Sequence, residues 1–156
     1  CEIAGDPTLD WNGDGVLDVC SSPNYCTANP NSTGQIAVMS VSGSPLIGDN
    51  NFTLTASQMP TFQYGYFLMA NGKGFIPNVG GSQGNLCLGS KIGRFVRQVG
   101  LSASAGRLSI DVDTASLPTV GLGIGTGDTW YFQAWFLDQI PTSTSSFTGA
   151  VGVTFL

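Results

Sequence analysis

Histidine is absent from all 156 residues, and only five side chains are basic. Without histidine, serine and cysteine triads of the usual kind are out of reach. Zinc sites also lose their common nitrogen ligand. Five scattered bases form no patch or stripe that could neutralise phosphates, which argues against nucleic-acid binding. Charged residues make up 10% of the chain, against about a quarter in an average domain. No window holds the roughly 18 apolar residues of a membrane helix. Nor does any stretch carry a convincing helical period; Thr114–Leu117, stopped by Pro118, is good for one turn at most.

What replaces charge is glycine (22 residues) together with abundant Ser, Thr and Asn, while hydrophobic residues reach 42%. That is enough to bury a core beneath a polar, uncharged surface. The net charge of −5 is unevenly placed. Glu2, Asp6, Asp10, Asp14 and Asp18 all fall in the first stretch of the chain. Asp49, Asp111, Asp113, Asp128 and Asp138 balance Lys73, Lys91, Arg94, Arg97 and Arg107. The body is neutral and the acidic head wants cations.

Within that head, Asp10-Trp11-Asn12-Gly13-Asp14-Gly15-Val16-Leu17-Asp18 has the spacing of a calcium loop. Side-chain oxygens at Asp10, Asn12 and Asp14 occupy positions one, three and five. Gly15 permits the sharp turn at position six, Val16 offers its carbonyl at seven, and Asp18 stands at nine. Gly5 and Pro7 before the loop, and Ser21, Ser22 and Pro23 after it, oppose the helices of a regulatory EF-hand. Ser21 stands where a bidentate Glu would close the shell. The expectation is a rigid Ca²⁺ clip of weak affinity, about 10⁻⁴ to 10⁻³ M, completed by an oxygen from elsewhere.

Cys1, Cys20, Cys26 and Cys87 are an even set without CxxC spacing, so disulfides are expected and an oxidising, extracellular or cell-surface location with them. Three connectivities are possible. Cys1–Cys20, closing the head, with Cys26–Cys87, tying the start of the body to its middle, is preferred. Loop entropy assigns these roughly 3 and 4 kcal/mol. Cys1 also admits a reading as a processed, acylated terminus, or as a cut end of a longer chain.

The organisation that follows is a disulfide-closed calcium head over residues 1–25 and a β domain over 26–156. Candidate strands are Gln35–Val41, Asn51–Ala56, Tyr64–Asn71, Ile92–Val99, Arg107–Val112, Thr129–Leu137 and Ala150–Phe155, with Ser42–Asn50, Gly72–Leu88 and Thr119–Asp128 as loops. Leu108, Ile110 and Val112 alternate with Ser109, Asp111 and Asp113, while Thr129–Leu137 is large on both faces and reads as central. Seven antiparallel strands predict an all-β, Greek-key, immunoglobulin-like sandwich, with a jelly roll as the alternative. A terminal strand at Ala150–Phe155 would lie where an edge can be completed or exchanged between molecules.

Other features carry little chemistry. Asp111 and Asp113, about 7 Å apart along a strand, have the residue type of a glycosidase pair but the pattern of a solvent face. Gly80-Gly81 and Gly121–Gly127 lack the Lys-Ser/Thr of a phosphate loop and read as hairpin loops. Tyr64, Tyr66, Trp130, Tyr131 and Trp135 are the stock from which a sugar-stacking face would be built, although strands also need aromatics for the core. Asn31-Ser-Thr33 and Asn51-Phe-Thr53 are glycosylation sequons.

The segment Asp10-Trp-Asn-Gly-Asp-Gly-Val-Leu-Asp-Val-Cys20 resembles thrombospondin type 3 and dockerin-like calcium repeats, and the linkers of large secreted planctomycete- and myxobacteria-like proteins. Gly65-Tyr-Phe-Leu, Gly81-Ser-Gln-Gly-Asn-Leu-Cys-Leu-Gly89, Ile92-Gly-Arg94, Thr129–Asp138 and the terminal Val-Thr-Phe are similar to the C-terminal β-sandwich module that follows such linkers. The resemblance implies Ca²⁺ on Asp10, Asn12, Asp14, Val16 and Asp18, and it brings no established activity with it. The function expected is a non-enzymatic structural or adhesive module, with self-association or matrix components as partners. The alternative is a carbohydrate-binding module of a secreted hydrolase, taking a glycan on a surface row of aromatics.

Overall fold

The computed structural model describes residues 24–119, 121, 123–139 and 142–156. Among the described residues there are eight strands: β1 (Val38–Gly43), β2 (Phe52–Ser57), β3 (Tyr64–Pro77), β4 (Asn85–Arg94), β5 (Gly100–Leu101), β6 (Leu108–Asp111), β7 (Thr129–Gln139) and β8 (Ser143–Thr154). They form two antiparallel sheets. Sheet I runs β1-β2-β6; sheet II runs β4-β3-β7-β8, with β5 beside the start of β3. In immunoglobulin lettering this is A-B-E facing C′-C-F-G, with the chain changing sheets between β2 and β3, between β5 and β6, and again between β6 and β7. The expected all-β sandwich is the fold.

Alternation decides which side chains face inward. On β7, Trp130, Phe132, Ala134 and Phe136 point into the sandwich. Phe67 and Met69 of β3, Phe52 and Leu54 of β2, and Val151 and Val153 of β8 meet them there. Phe52, Phe132 and Phe155 form a ring cluster with centroids 5.3–6.4 Å apart. Gly65 is required beneath Leu108, because a Cβ at that position would lie 2.8 Å from the Trp135 carbonyl oxygen.

Several expectations from the sequence are corrected. Gly72–Leu88 is not a loop: β3 continues to Pro77 and β4 begins at Asn85, so most of it is hairpin. Glycines within it permit close approach, and a Cβ on Gly89 would lie 2.4 Å from the Lys73 carbonyl oxygen. Ile92–Val99 is not one strand, since Phe95 turns into the core and Val96–Gln98 forms a single 3-10 turn. Gly121–Gly127 belongs to the connection between β6 and β7, in different sheets, and so does not join a hairpin. β8 is longer than expected, and its outer edge bonds to the chain's own backbone. Ser145 O accepts from Gln83 N, Gly149 N donates to Ala37 O, Tyr25 N to Ala150 O, and Leu156 N to Pro45 O.

Candidate functional site

The expected calcium ligands Asp10, Asn12, Asp14, Val16 and Asp18, and the expected Cys1–Cys20 bond, lie outside the described residues. Among the described residues there is no cluster of three or more metal-ligating side chains. Cys26 and Cys87 are disulfide-bonded, with Cα atoms 6.3 Å apart. Asp111 and Asp113 are exposed on either side of buried Val112, as the alternation predicts.

The outer face of sheet II is the most distinctive surface. Register shifts at Ala70/Gly72 and Lys73/Ile76 bend the β3–β4 hairpin. Its tip then crosses β7 and reaches β8. Ser82 Oγ donates to Ser145 O at 2.8 Å, and Thr144 Oγ1 donates to Gly81 O at 3.3 Å. Gly84 is needed where they touch, because a Cβ would fall 2.5 Å from Phe147 N. Beneath the hairpin lies Gln133, an outward residue of β7 that is fully buried. Its Oε1 accepts from Cys87 N at 2.9 Å, and its Nε2 donates to Asn85 O and Thr148 O, both at 2.8 Å.

Asn24 and Tyr25, the first of the described residues, complete this cover. Asn24 bonds the Met39 backbone in both directions, standing in for a neighbouring strand. Tyr25 lies edge-on to Tyr131 with centroids 5.4 Å apart, and its hydroxyl donates to Cys87 O at 2.7 Å. Burial, and then the neighbouring Tyr131, push the Tyr25 phenol up to about 12. The Lys73 ammonium sits 4.6 Å from the Tyr25 ring centroid and 5.4 Å from that of Tyr131, a cation–π arrangement.

Beyond the hairpin the same face is open. Tyr64 and Tyr66 project outward from β3, and Trp135 stands directly across from Tyr66, ring centroids 5.0 Å apart. Leu101 of β5 is the cross-strand partner of Tyr64. Tyr64 is 57% exposed and Leu101 47%, while Phe62, in the turn leading into β3, is 61% exposed. Tyr66 and Trp135 pack at the margin of the covered part, with Val79 and Leu86. Of the five aromatics named from the sequence, Trp130 is therefore core and Tyr131 is under the cover. Tyr64, Tyr66 and Trp135 share one surface. Leu101 was not legible as part of it, being a single apolar residue among turn-formers. The register that sets Leu101 beside Tyr64 comes from the tertiary fold.

Of the two sequons, Asn31 is buried, donating from Nδ2 to Gln58 O at 2.7 Å, whereas Asn51 is exposed.

Fold and face together define a two-sheet β-sandwich with one half-covered aromatic surface. Compared with protein-family models, curated proteins and solved structures, the chain matches none.

Proposed function

We propose that this chain is a non-enzymatic extracellular adhesive module that contacts polysaccharide through the open half of the outer face of sheet II. The observation that carries this reading is the exposed surface of Tyr64 and Leu101 beside the Tyr66–Trp135 stack. Flat aromatic surface on a stiff sheet suits the C–H faces of sugar rings, which stack without requiring charge. The absence of histidine, the oxidised Cys26–Cys87 pair and the low charge support a binding rather than a catalytic role. The head, holding Ca²⁺ on Asp10, Asn12, Asp14, the Val16 carbonyl and Asp18, would serve as the stiff joint to whatever precedes the sandwich.

The test is retention on a panel of immobilised polysaccharides, with Ca²⁺ present, for the native chain and for Tyr64→Ala with Leu101→Ser. Retention lost in the double variant, with its melting temperature unchanged, supports the reading. No retention on any polysaccharide, combined with concentration-dependent light scattering that the same double variant abolishes, would transfer the face to self-association in a fibre.

A further inference from the structure

The alternation of ladder hydrogen bonds leaves one sheet edge open. Ala134 N of β7 donates to Thr148 Oγ1 on the side of β8. Phe67, opposite Ala134, therefore turns its own N–H and C=O toward β4, and Phe95 N donates to Phe67 O at 3.0 Å. Backbone groups alternate along β3, so Met69 also faces β4 while Leu68 and Ala70 face β7. Arg94 and Ile92, the partners of Leu68 and Ala70, thus aim their N–H and C=O groups out of the sheet. No hydrogen bond from another described residue reaches these four groups. Other edges are occupied: β8 by the chain's own backbone, Met39 of β1 by the Asn24 amide, and Asp111 O of β6 by Gln98 Nε2 at 3.0 Å.

Side chains follow from the same register. Arg94 and Ile92 lie on the outer face of sheet II with Leu68 and Ala70, whereas Gly93, opposite the core residue Met69, lies on the inner face. Just inside Gly93 are Thr119 and Pro118: a Cβ on Gly93 would fall 2.7 Å from Thr119 Cγ2 and 3.2 Å from Pro118 O. There the two sheets part, leaving a cleft of about 530 Å³ with Phe95, Leu117 and Pro118 among its apolar lining. Three of the five bases, Lys91, Arg94 and Arg97, stand exposed on or just beyond this edge. Arg94 has no ion pair among the described residues. Two copies of the edge laid side by side would crowd these cations together, which is how natural edges resist self-pairing. The same charges favour a strand of opposite sign.

We propose that the outer edge of β4 takes an extended, acidic peptide segment of another protein as an added antiparallel strand. Ile92 and Arg94 would each exchange N–H and C=O bonds with the residue facing them, which supplies affinity without regard to sequence. Side chains then set the preference. The residue across from Arg94 shares the outer face with its guanidinium and is acidic, a carboxylate being the matched acceptor for that fork. The residue across from Ile92 is apolar. The one between them, across from Gly93, points to the inner side and places an apolar side chain at the cleft beside Leu117 and Pro118. Read from its N-terminus, the added strand carries acid, apolar, apolar. Its bonds are made at the sheet's edge and not on the aromatic face, so this proposal stands apart from the polysaccharide reading.

The test is titration of the isotope-labelled full chain, in Ca²⁺-containing buffer, with the end-blocked peptide Thr-Thr-Asp-Leu-Val-Thr-Thr and with its counterpart carrying Lys in place of Asp. Amide exchange is read residue by residue. In the free chain the Ile92 and Arg94 N–H groups should exchange at least tenfold faster than that of Gly93, which is bonded to β3. Saturating acidic peptide should slow both by tenfold or more. It should bind at least tenfold more tightly than the lysine peptide, and less tightly as ionic strength rises. Arg94→Pro removes an outward N–H without breaking a bond to β3, a place where an edge tolerates proline, and should abolish binding. Arg94→Ala keeps the N–H and should lose only the preference for acid, and Tyr64→Ala should change neither. If Arg94→Pro does not fold, the exchange pattern of the native chain decides alone. No slowing at Ile92 and Arg94, equal binding of the two peptides, or binding that survives Arg94→Pro would each overturn the proposal. So would protection of these two amides that rises with protein concentration alone, which would give the edge to a second copy.

Discussion

The outer face of sheet II is two surfaces on one set of strands. Around Tyr131, Gln133 and Phe147 it lies beneath the folded-back hairpin and the segment carrying Cys26, dry enough to hold a fully buried glutamine. Around Tyr64, Tyr66 and Trp135 the same β3 and β7 meet solvent. Local alternation cannot separate the two, because both halves follow it. What separates them is how far the bulged hairpin reaches. An aromatic strand that is large on both faces can thus be core on one side and, on the other, half covered and half available.

If the cover is a separate layer fastened at a few points, removing its fastening should loosen it before the core. Cys26→Ser with Cys87→Ser releases a link spanning 61 residues of sequence separation, and should cost about 4 kcal/mol in denaturant unfolding. Hydrogen exchange should rise first in Asn85–Leu88, ahead of β2 and the inner part of β7. Uniform acceleration across all strands would break the comparison, showing cover and core to be one cooperative unit.

Gln133→Leu keeps volume and removes three hydrogen bonds, leaving Cys87 N, Asn85 O and Thr148 O to find other partners. At about 1 kcal/mol for each, the expected loss is about 3 kcal/mol in chemical denaturation. A loss below about 1 kcal/mol would mean that water replaces the amide, and that the covered half is wet rather than sealed.

The sandwich itself was legible. Leu108, Ile110 and Val112 against Ser109, Asp111 and Asp113 specify a half-buried strand, and Thr129–Leu137 specifies a central one. The cover was not, because its glycines send a mixed signal. Gly74 and Gly84 read as loop, yet in the fold they, like Gly89, permit strands to approach more closely than a Cβ allows. Phe95 hid the end of β4 in a similar way, extending an apolar run past the point where the chain turns into the core. For the face, Tyr64, Tyr66 and Trp135 could be picked out as candidates. That Trp130 faces inward while Trp135 faces outward follows from parity along β7, once its register against β3 is known. The calcium head rests on sequence spacing alone.

A smaller effect comes from Tyr25, whose hydroxyl closes the cover onto Cys87 O. Because its phenol is raised from the ordinary 10 to about 12, the folded state favours the protonated form. That contribution is fully present below pH 10 and is lost as pH rises from 10 through 12. Tyr25→Phe should cost about 1 kcal/mol near neutrality and flatten the decline in stability between pH 10 and 12. A parallel decline in the variant would assign the slope to another group.

The smallest expected change in stability is also the sharpest test of the open half. Tyr64 is more than half exposed, so Tyr64→Ala forfeits little burial and should shift unfolding by no more than about 0.5 kcal/mol. It should nonetheless weaken retention on polysaccharide, since a stacking ring contributes through its face rather than through the core. Tyr66→Ala makes the matched control at the margin. There the ring packs against Trp135 and the buried cluster of Leu68, Ala70, Leu88 and Phe147, so stability and binding should fall together. If Tyr64→Ala instead destabilises as much as Tyr66→Ala, the face is an extension of the core. If neither alters retention, the uncovered aromatics are not where the molecule makes contact.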